Sequence, residues 1–228
     1  MPTATPTRDP ETRGVRMVIV LLSLTLVSGL IDAASYLGLG HVFTANMTGN
    51  VVVLGFAAAG APGFSVPHSA TSLAAYLLGA TLGGRVAARF GTGSRRRWMR
   101  VTLAAEAVLL AVSAVLAFAR PGGTATTYTL IALTAFAMGL RNANVRKLGV
   151  PDLTATTVLT TTLTGLVSES RLGDATNPRS PRRAAAVLAL IAGAVLGAWL
   201  VLHQGLGIPL LIAAAVSGVL AVVASGRE

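Results

Sequence analysis

The twelve residues Arg89-Phe90-Gly91-Thr92-Gly93-Ser94-Arg95-Arg96-Arg97-Trp98-Met99-Arg100 carry five arginines and separate two apolar segments, 70–90 and 101–119. Basic loops of a membrane protein face the cytoplasm, so the side on which this run falls limits how many segments cross. Eight apolar segments can be marked along the chain, at about 17–38, 43–60, 70–90, 101–119, 126–146, 153–168, 184–203 and 208–225. Breakers such as Gly38-Leu39-Gly40, Pro62-Gly63 and Pro121-Gly122-Gly123 mark their joints. If all eight cross, starting from an N-terminal arm with Arg8, Arg13 and Arg16 inside, the arginine run lands outside. If segment 43–60 enters and leaves by one face, the run lands inside. The same treatment of segment 153–168 brings the Arg171–Arg183 loop inside as well. Every strongly basic loop is then cytoplasmic, as are both termini.

Composition settles that these segments belong in a membrane. Of the 228 residues 53% are hydrophobic and 11% charged, with a mean hydropathy of +0.71. A soluble domain carries roughly 25% charged residues. Crossing a hydrocarbon core of ~30 Å takes about 20 helical residues, which the apolar runs supply. A β-barrel needs alternating strands of about ten residues, and the sequence has none. The net charge of +10 does not point to nucleic acid, because the arginines lie in loops and at helix ends. The lack of cysteine excludes disulfides, Fe–S clusters and thiolate chemistry. Residues 1–16, rich in Thr, Pro and Arg, are expected to form a disordered cytoplasmic arm. The first apolar segment is too long for a signal-peptide core of ~7–15 residues, and reads as a retained span. A single membrane domain is expected over 17–225, in the cytoplasmic membrane of a bacterium.

The two segments that parity singles out are also unusual in content. Segment 43–60 opens Phe43-Thr44-Ala45-Asn46-Met47-Thr48-Gly49-Asn50, and 153–168 holds seven threonines in sixteen residues. Polar or irregular backbone at membrane depth is tolerated only against protein or a water-filled cavity. The competing reading is two ordinary spans whose threonines bond back to the preceding carbonyls.

The halves resemble each other. Gly29-Leu30-Ile31-Asp32-Ala33 aligns with Gly139-Leu140-Arg141-Asn142-Ala143, and at the same offset Phe43-Thr44-Ala45 meets Leu153-Thr154-Ala155. Thr48-Gly49 is matched to Thr164-Gly165, and Gly79-xxx-Gly83 to Gly193-xxx-Gly197. Such small-xxx-small pairs let helices approach closely. The expected fold is therefore all-α and polytopic, with about six transmembrane helices in two inverted repeats. Repeat one covers about 17–119 and repeat two about 126–225, each with one polar re-entrant or broken segment.

The stretch Ser28–Ala33, followed by Phe43–Asn50, resembles the hallmark of the YoaK-type family of bacterial inner-membrane proteins, catalogued as a domain of unknown function. A second family signature, AMG-Q-N before a Thr-rich T-G segment, is similar to Ala137-Met138-Gly139-Leu140-Arg141-Asn142 and Thr160–Gly165. Arg141 stands where that motif usually has glutamine. The resemblance covers roughly residues 17–225, and implies an inner-membrane location without bringing a biochemical activity.

Asp32 is the sharpest single residue. A carboxylate within a span costs roughly 2.5–3.5 kcal/mol on insertion scales, so it needs a partner, a cavity or a proton. It handles protons or cations, or it caps a helix end; Asn142 is its neutral counterpart in the repeat. Glu106, one turn inside its span, is expected at the interface, solvated or paired with Arg100 or Arg141. Asn46, Thr48 and Asn50 bracket Gly49 and suit a neutral solute, water or partly dehydrated ions; a tight turn with Asn caps needs the same residues. A half-helix N-terminus there would favour anions.

His41, His68 and His203 are scattered near the expected outer face and specify no metal site. No P-loop, G-x-S-x-G or H-E-x-x-H pattern occurs, so no catalytic residue is named, no enzyme is expected and no cofactor is implied. The favoured function is a small-solute or ion transporter or channel. Its pathway would be lined by Asp32, Asn46, Thr48, Gly49, Asn50, Asn142, Thr154, Thr157, Thr161 and Thr164. The alternative is a non-transporting assembly or sensory protein with a structural polar core. The expected partners are the lipid bilayer and a small solute or ion, not nucleic acid, and a homo-oligomer is compatible with the sequence.

Overall fold

The computed structural model describes residues 10–90, 95–148, 155–169 and 180–223. Among the described residues eight helices form, one for each apolar segment: α1 Pro10–Gly38, α2 Met47–Ala58, α3 Val66–Phe90, α4 Arg95–Ala119, α5 Thr124–Leu148, α6 Ala155–Ser168, α7 Ser180–Gln204 and α8 Gly207–Val223. Helix α1 begins seven residues before the expected span, so 10–16 continue it, while 1–9 lie outside the described residues. Segment 43–60 is helical only from Met47 onward. Its first four residues form the loop that leads into α2.

The surface of this bundle is apolar and much of its interior is small or polar, the reverse of a water-soluble domain. Along α7 the exposed large side chains include Leu188, Ile191, Val195, Trp199 and Leu202, up to 72% exposed. They recur at helical spacing and form one outward stripe. By length and composition, three helices among the described residues are long and apolar enough to cross a membrane: Met17–Gly38, Arg97–Ala119 and Pro181–Gln204. Helices α3 and α5 have 25 residues each, roughly 37 Å of rise, but carry more polar side chains. Those of α5 include Arg141, Asn142 and Asn144, all buried against neighbouring helices.

The largest interfaces are α3–α5, α1–α7 and α4–α8. The first two are built on glycine. A Cβ on Gly193 would collide with the carbonyl oxygen of Leu26, and one on Gly197 with that of Leu30. In the other interface Gly79 meets Phe136 and Gly83 meets Leu140, again at the carbonyl oxygen. From the opposite side, Gly29 faces Leu190 and Ala194, as Gly139 faces Tyr76 and Ala80. The residues matched between the halves thus hold equivalent places in two separate interfaces. Because contacts advance together along both chains, α1 runs parallel to α7, and α3 to α5. In α4–α8 they advance oppositely: Gly207 lies against Phe118 and Ser217 against Glu106. These two helices are antiparallel.

One match from the sequence fails. Gly49 is in the first turn of α2, but Gly165 is in the last turn of α6, packed on the Arg183 guanidinium. In a chain this rich in Thr and Gly, a two-residue match sets no register.

Gly79→Ala and Gly193→Ala are each expected to destabilise the protein by about 1–3 kcal/mol through overpacking. Gly55→Ala, where the added methyl meets nothing within 4 Å, should be neutral or stabilising by up to about 1 kcal/mol. Unfolding of purified protein in lipid–detergent micelles would measure all three.

Candidate functional site

Helix α1 ends in a reversal that only flexible backbone can make: Gly40 and His41 both have positive φ, 82° and 61°. His41 Nδ1 donates to the Gly63 carbonyl at 3.0 Å, tying this turn to the loop before α3. The chain then runs back so that Thr44, Ala45 and Asn46 face Asp32. Their three backbone N–H groups donate to one carboxylate oxygen, Asp32 Oδ1, at 3.2, 2.8 and 3.2 Å. Asn46 in turn caps α2, its Oδ1 accepting from the Gly49 N–H at 3.3 Å. The loop that leads into α2 is thus folded around the carboxylate of Asp32, while the first turn of the helix is capped by the neutral amide oxygen of Asn46.

Helix α2 rests on α3 through two polar contacts. Asn50 Nδ2 donates to the Ser69 carbonyl at 3.1 Å, and Ser72 Oγ to the Phe43 carbonyl at 2.7 Å. Around them lie four buried polar atoms without a protein partner: Thr44 Oγ1, Asn50 Oδ1, His68 Nδ1 and Ser69 Oγ. Buried polar atoms are normally bonded, so a group of four next to a broken helix is a place for water or a polar solute.

A second polar cluster lies within the bundle, where α1, α4, α5 and α8 meet. Arg141, 2% exposed, donates through Nη1 to Glu106 Oε1 at 3.2 Å and through Nη2 to Ser28 Oγ. Ser217 Oγ donates to the same Glu106 oxygen at 3.0 Å. Glu106 itself is 0% exposed, and its Oε2 has no partner. One turn along α5, Asn144 Nδ2 donates to Thr102 Oγ1 at 2.6 Å and to the Leu140 carbonyl at 2.9 Å. Hydrophobic packing surrounds the cluster, with Leu24, Leu103 and Leu220 on one side and Leu30, Leu110 and Leu210 on the other.

The candidate residues fall into three places. Asp32, Asn46, Gly49 and Asn50 assemble at the α2 entrance, with Thr48 exposed beside them. Asn142 donates to the Tyr76 hydroxyl at 3.0 Å. Thr161 and Thr164 are exposed on α6; Thr157 is in α6, and Thr154 lies outside the described residues. Glu106 is not solvated at an interface but sealed in the core, and of its two expected cations it takes Arg141. Sequence reading did not place Arg141, Ser28 and Ser217 in a site. Arg141 offered one signal, a full charge in a stretch otherwise matched to apolar and amide residues. Among the described residues, no group of His, Asp or Glu could hold a metal ion.

A family model described as "Protein of unknown function (DUF1275)" matches residues 20–223, which takes in both clusters and all eight helices but for the start of α1. The chain belongs to this family. It is also similar to the UPF0700 transmembrane protein YoaK of Bacillus subtilis (strain 168), with 36% identity over 153 residues. That match covers 66% of this chain and 65% of YoaK, so it spans just under two thirds of the relative's length. No solved structure matches. The apolar surface, the long helices and the transmembrane relative agree on a membrane protein.

The buried ion pair gives a direct test. Arg141→Gln should cost about 3–5 kcal/mol, since it strands Glu106 without its cation. Adding Glu106→Gln should return most of that loss, giving a large coupling energy in a double-mutant cycle. Equal and additive losses would show that the two side chains act independently.

Proposed function

We propose that the protein is a small-solute or ion transporter or channel of the bacterial cytoplasmic membrane. Its six spans form two inverted repeats, and both termini face the cytoplasm. The observation that carries the reading is the set of unpartnered buried polar atoms at the α2 entrance, beside a carboxylate, in a bundle whose surface is apolar. Polar groups inside a membrane are expensive and serve pathways by default, and neutral donors and acceptors at a helix break suit a neutral polar solute or a partly dehydrated ion.

The helix directions support the six-span topology. Eight complete crossings would make the fourth and eighth helices run alike, whereas α4 and α8 are antiparallel. Helices α2 and α6 have 12 and 14 residues, a rise of roughly 18 and 21 Å, short of a ~30 Å core. With those two not crossing, α1, α4 and α7 run one way, and α3, α5 and α8 the other. Helices α1 and α5, which head the two halves, then oppose each other, as an inverted repeat requires. The topology also keeps the Arg89–Arg100 run inside.

The second reading, a structural polar core in an assembly or sensory protein, draws on Asp32. Its Oδ1 is fully used in holding α2 to α1. A sealed core and a pathway differ in whether water reaches the unpartnered atoms.

The missing cysteines permit the topology test. In intact cells a membrane-impermeant thiol reagent should label Ser65→Cys and leave Ser94→Cys and Ala175→Cys unlabelled; labelling at 94 would overturn the six-span arrangement. For function, vesicles containing the protein would be challenged with glycerol, urea or potassium chloride gradients. Faster swelling than in protein-free vesicles for at least one probe, slowed by Asn50→Leu, is the expected outcome. Swelling equal to that of empty vesicles for every probe would favour the structural core.

A further inference from the structure

The geometry points to a docking site for an anionic phospholipid at the end of the α3–α5 pair, its headgroup phosphate held by Arg85, Arg89, Arg146 and Lys147. The site needs only the membrane location of the chain, so it stands apart from the proposed transport.

Helix register brings the four cations together. Helices α3 and α5 run parallel, with Gly79 against Phe136 and Gly83 against Leu140 and Ala143. One further turn places Arg146 and Lys147 of α5 level with Arg85 and Arg89 of α3. A contact across the interface shows this pairing directly: Lys147 Nζ donates to the Gly84 carbonyl at 3.2 Å, one residue from Arg85. All four side chains are exposed. Neither helix contains an aspartate or a glutamate, so these charges have no acid on their own helices. Helix α4 reaches α3 where Trp98 lies near Ala87, and at that end it adds two more exposed cations, Arg97 and Arg100. The one acid of α4, Glu106, is sealed in the core on Arg141.

The same helices offer a place for hydrocarbon. Leu78, Leu82, Arg85 and Arg89 recur at spacings of four, three and four, which puts them on one stripe of α3. Leu78 and Leu82 are 65% and 44% exposed, and in a membrane such a surface faces acyl chains. The stripe is thus apolar within the bilayer and doubly cationic where it leaves, the order of a phospholipid read from chain to headgroup. Guanidinium groups grip phosphate through a fork of donors, and the lysine adds a point charge. Long aliphatic stems let such charges reach headgroup depth from apolar surroundings. Basic residues at a helix end also fix orientation. What marks a lipid site is their convergence from two helices beside an acyl-facing stripe. Among the described residues the opposite end of the bundle has one such cation, Arg120.

Native mass spectrometry of the full-length protein from neutral detergent micelles would test this, after titration with phosphatidylglycerol or phosphatidylcholine of equal chain length. Phosphatidylglycerol is expected to bind more tightly. The variant Arg85→Gln/Arg89→Gln/Lys147→Gln should lose about tenfold or more of that affinity, and Arg120→Gln should keep it. If the triple variant does not fold, Arg89→Gln in the last turn of α3 takes its place, with a loss of about fivefold expected. Equal binding of the two lipids would overturn the inference, as would unchanged phosphatidylglycerol binding in the folded variant. An equal loss in Arg120→Gln would overturn it too, by showing attraction to the whole protein's charge. So would glycerol 1-phosphate binding as tightly as the lipid, which would mark a site for the free anion.

Discussion

Helices α1 and α7, and likewise α3 and α5, meet at their backbones, and the rest of the structure is arranged around that closeness. Inside a membrane, apolar side chains gain nothing by leaving lipid for each other, so helix association depends on packing and on polar bonds. Gly29, Gly193 and Gly197 in one interface, and Gly139, Gly79 and Gly83 in the other, bring main chain against main chain. Two rigid pairs result, each joining one helix from either half. The α4–α8 pair stands beside them, and the buried cluster forms where α4 and α8 meet α1 and α5. Both polar clusters start one to three residues from these glycines in sequence: Ser28 and Asp32 flank Gly29, and Arg141 and Asn142 follow Gly139. Close packing thus holds the charges at fixed depth.

The two clusters satisfy their charges differently. Asp32 is held by backbone amides, donors that no substitution except one to proline can remove. Glu106 and Arg141 depend on side chains from four helices, so that cluster reports whether the helices are docked. Breaking a buried pair from one side costs more than removing both partners, which makes the four-helix junction an all-or-none element of assembly.

Much of this was legible in the sequence. Eight apolar runs became eight helices because spanning length and breakers leave little freedom, and most boundaries agree within a few residues. Helices α1 and α4 were the exceptions at their starts, since helical backbone needs no apolar face to continue through Pro10–Arg16 or Arg95–Arg100. Asp32 stood out because an acid among apolar residues always needs an explanation, and helix capping was one of the two readings open. The Glu106–Arg141 pair was within reach as one option of two. Its burial was not, because 35 intervening residues and the contributions of Ser28 and Ser217 are set by tertiary packing. The false match of Gly49 with Gly165 came from composition, which repeats short words without repeating structure.

The carboxylate at the start of α2 also bears on selectivity. A helix start inside a membrane is a natural cradle for chloride, phosphate or a substrate carboxylate, but here the cradle is already full. Any anion approaching it would have to displace a tethered competitor whose effective concentration no free solute can match. The same competitor repels it by charge. For the pathway proposed above, the entrance to α2 is thereby screened against anions, which leaves neutral molecules and cations as its expected species.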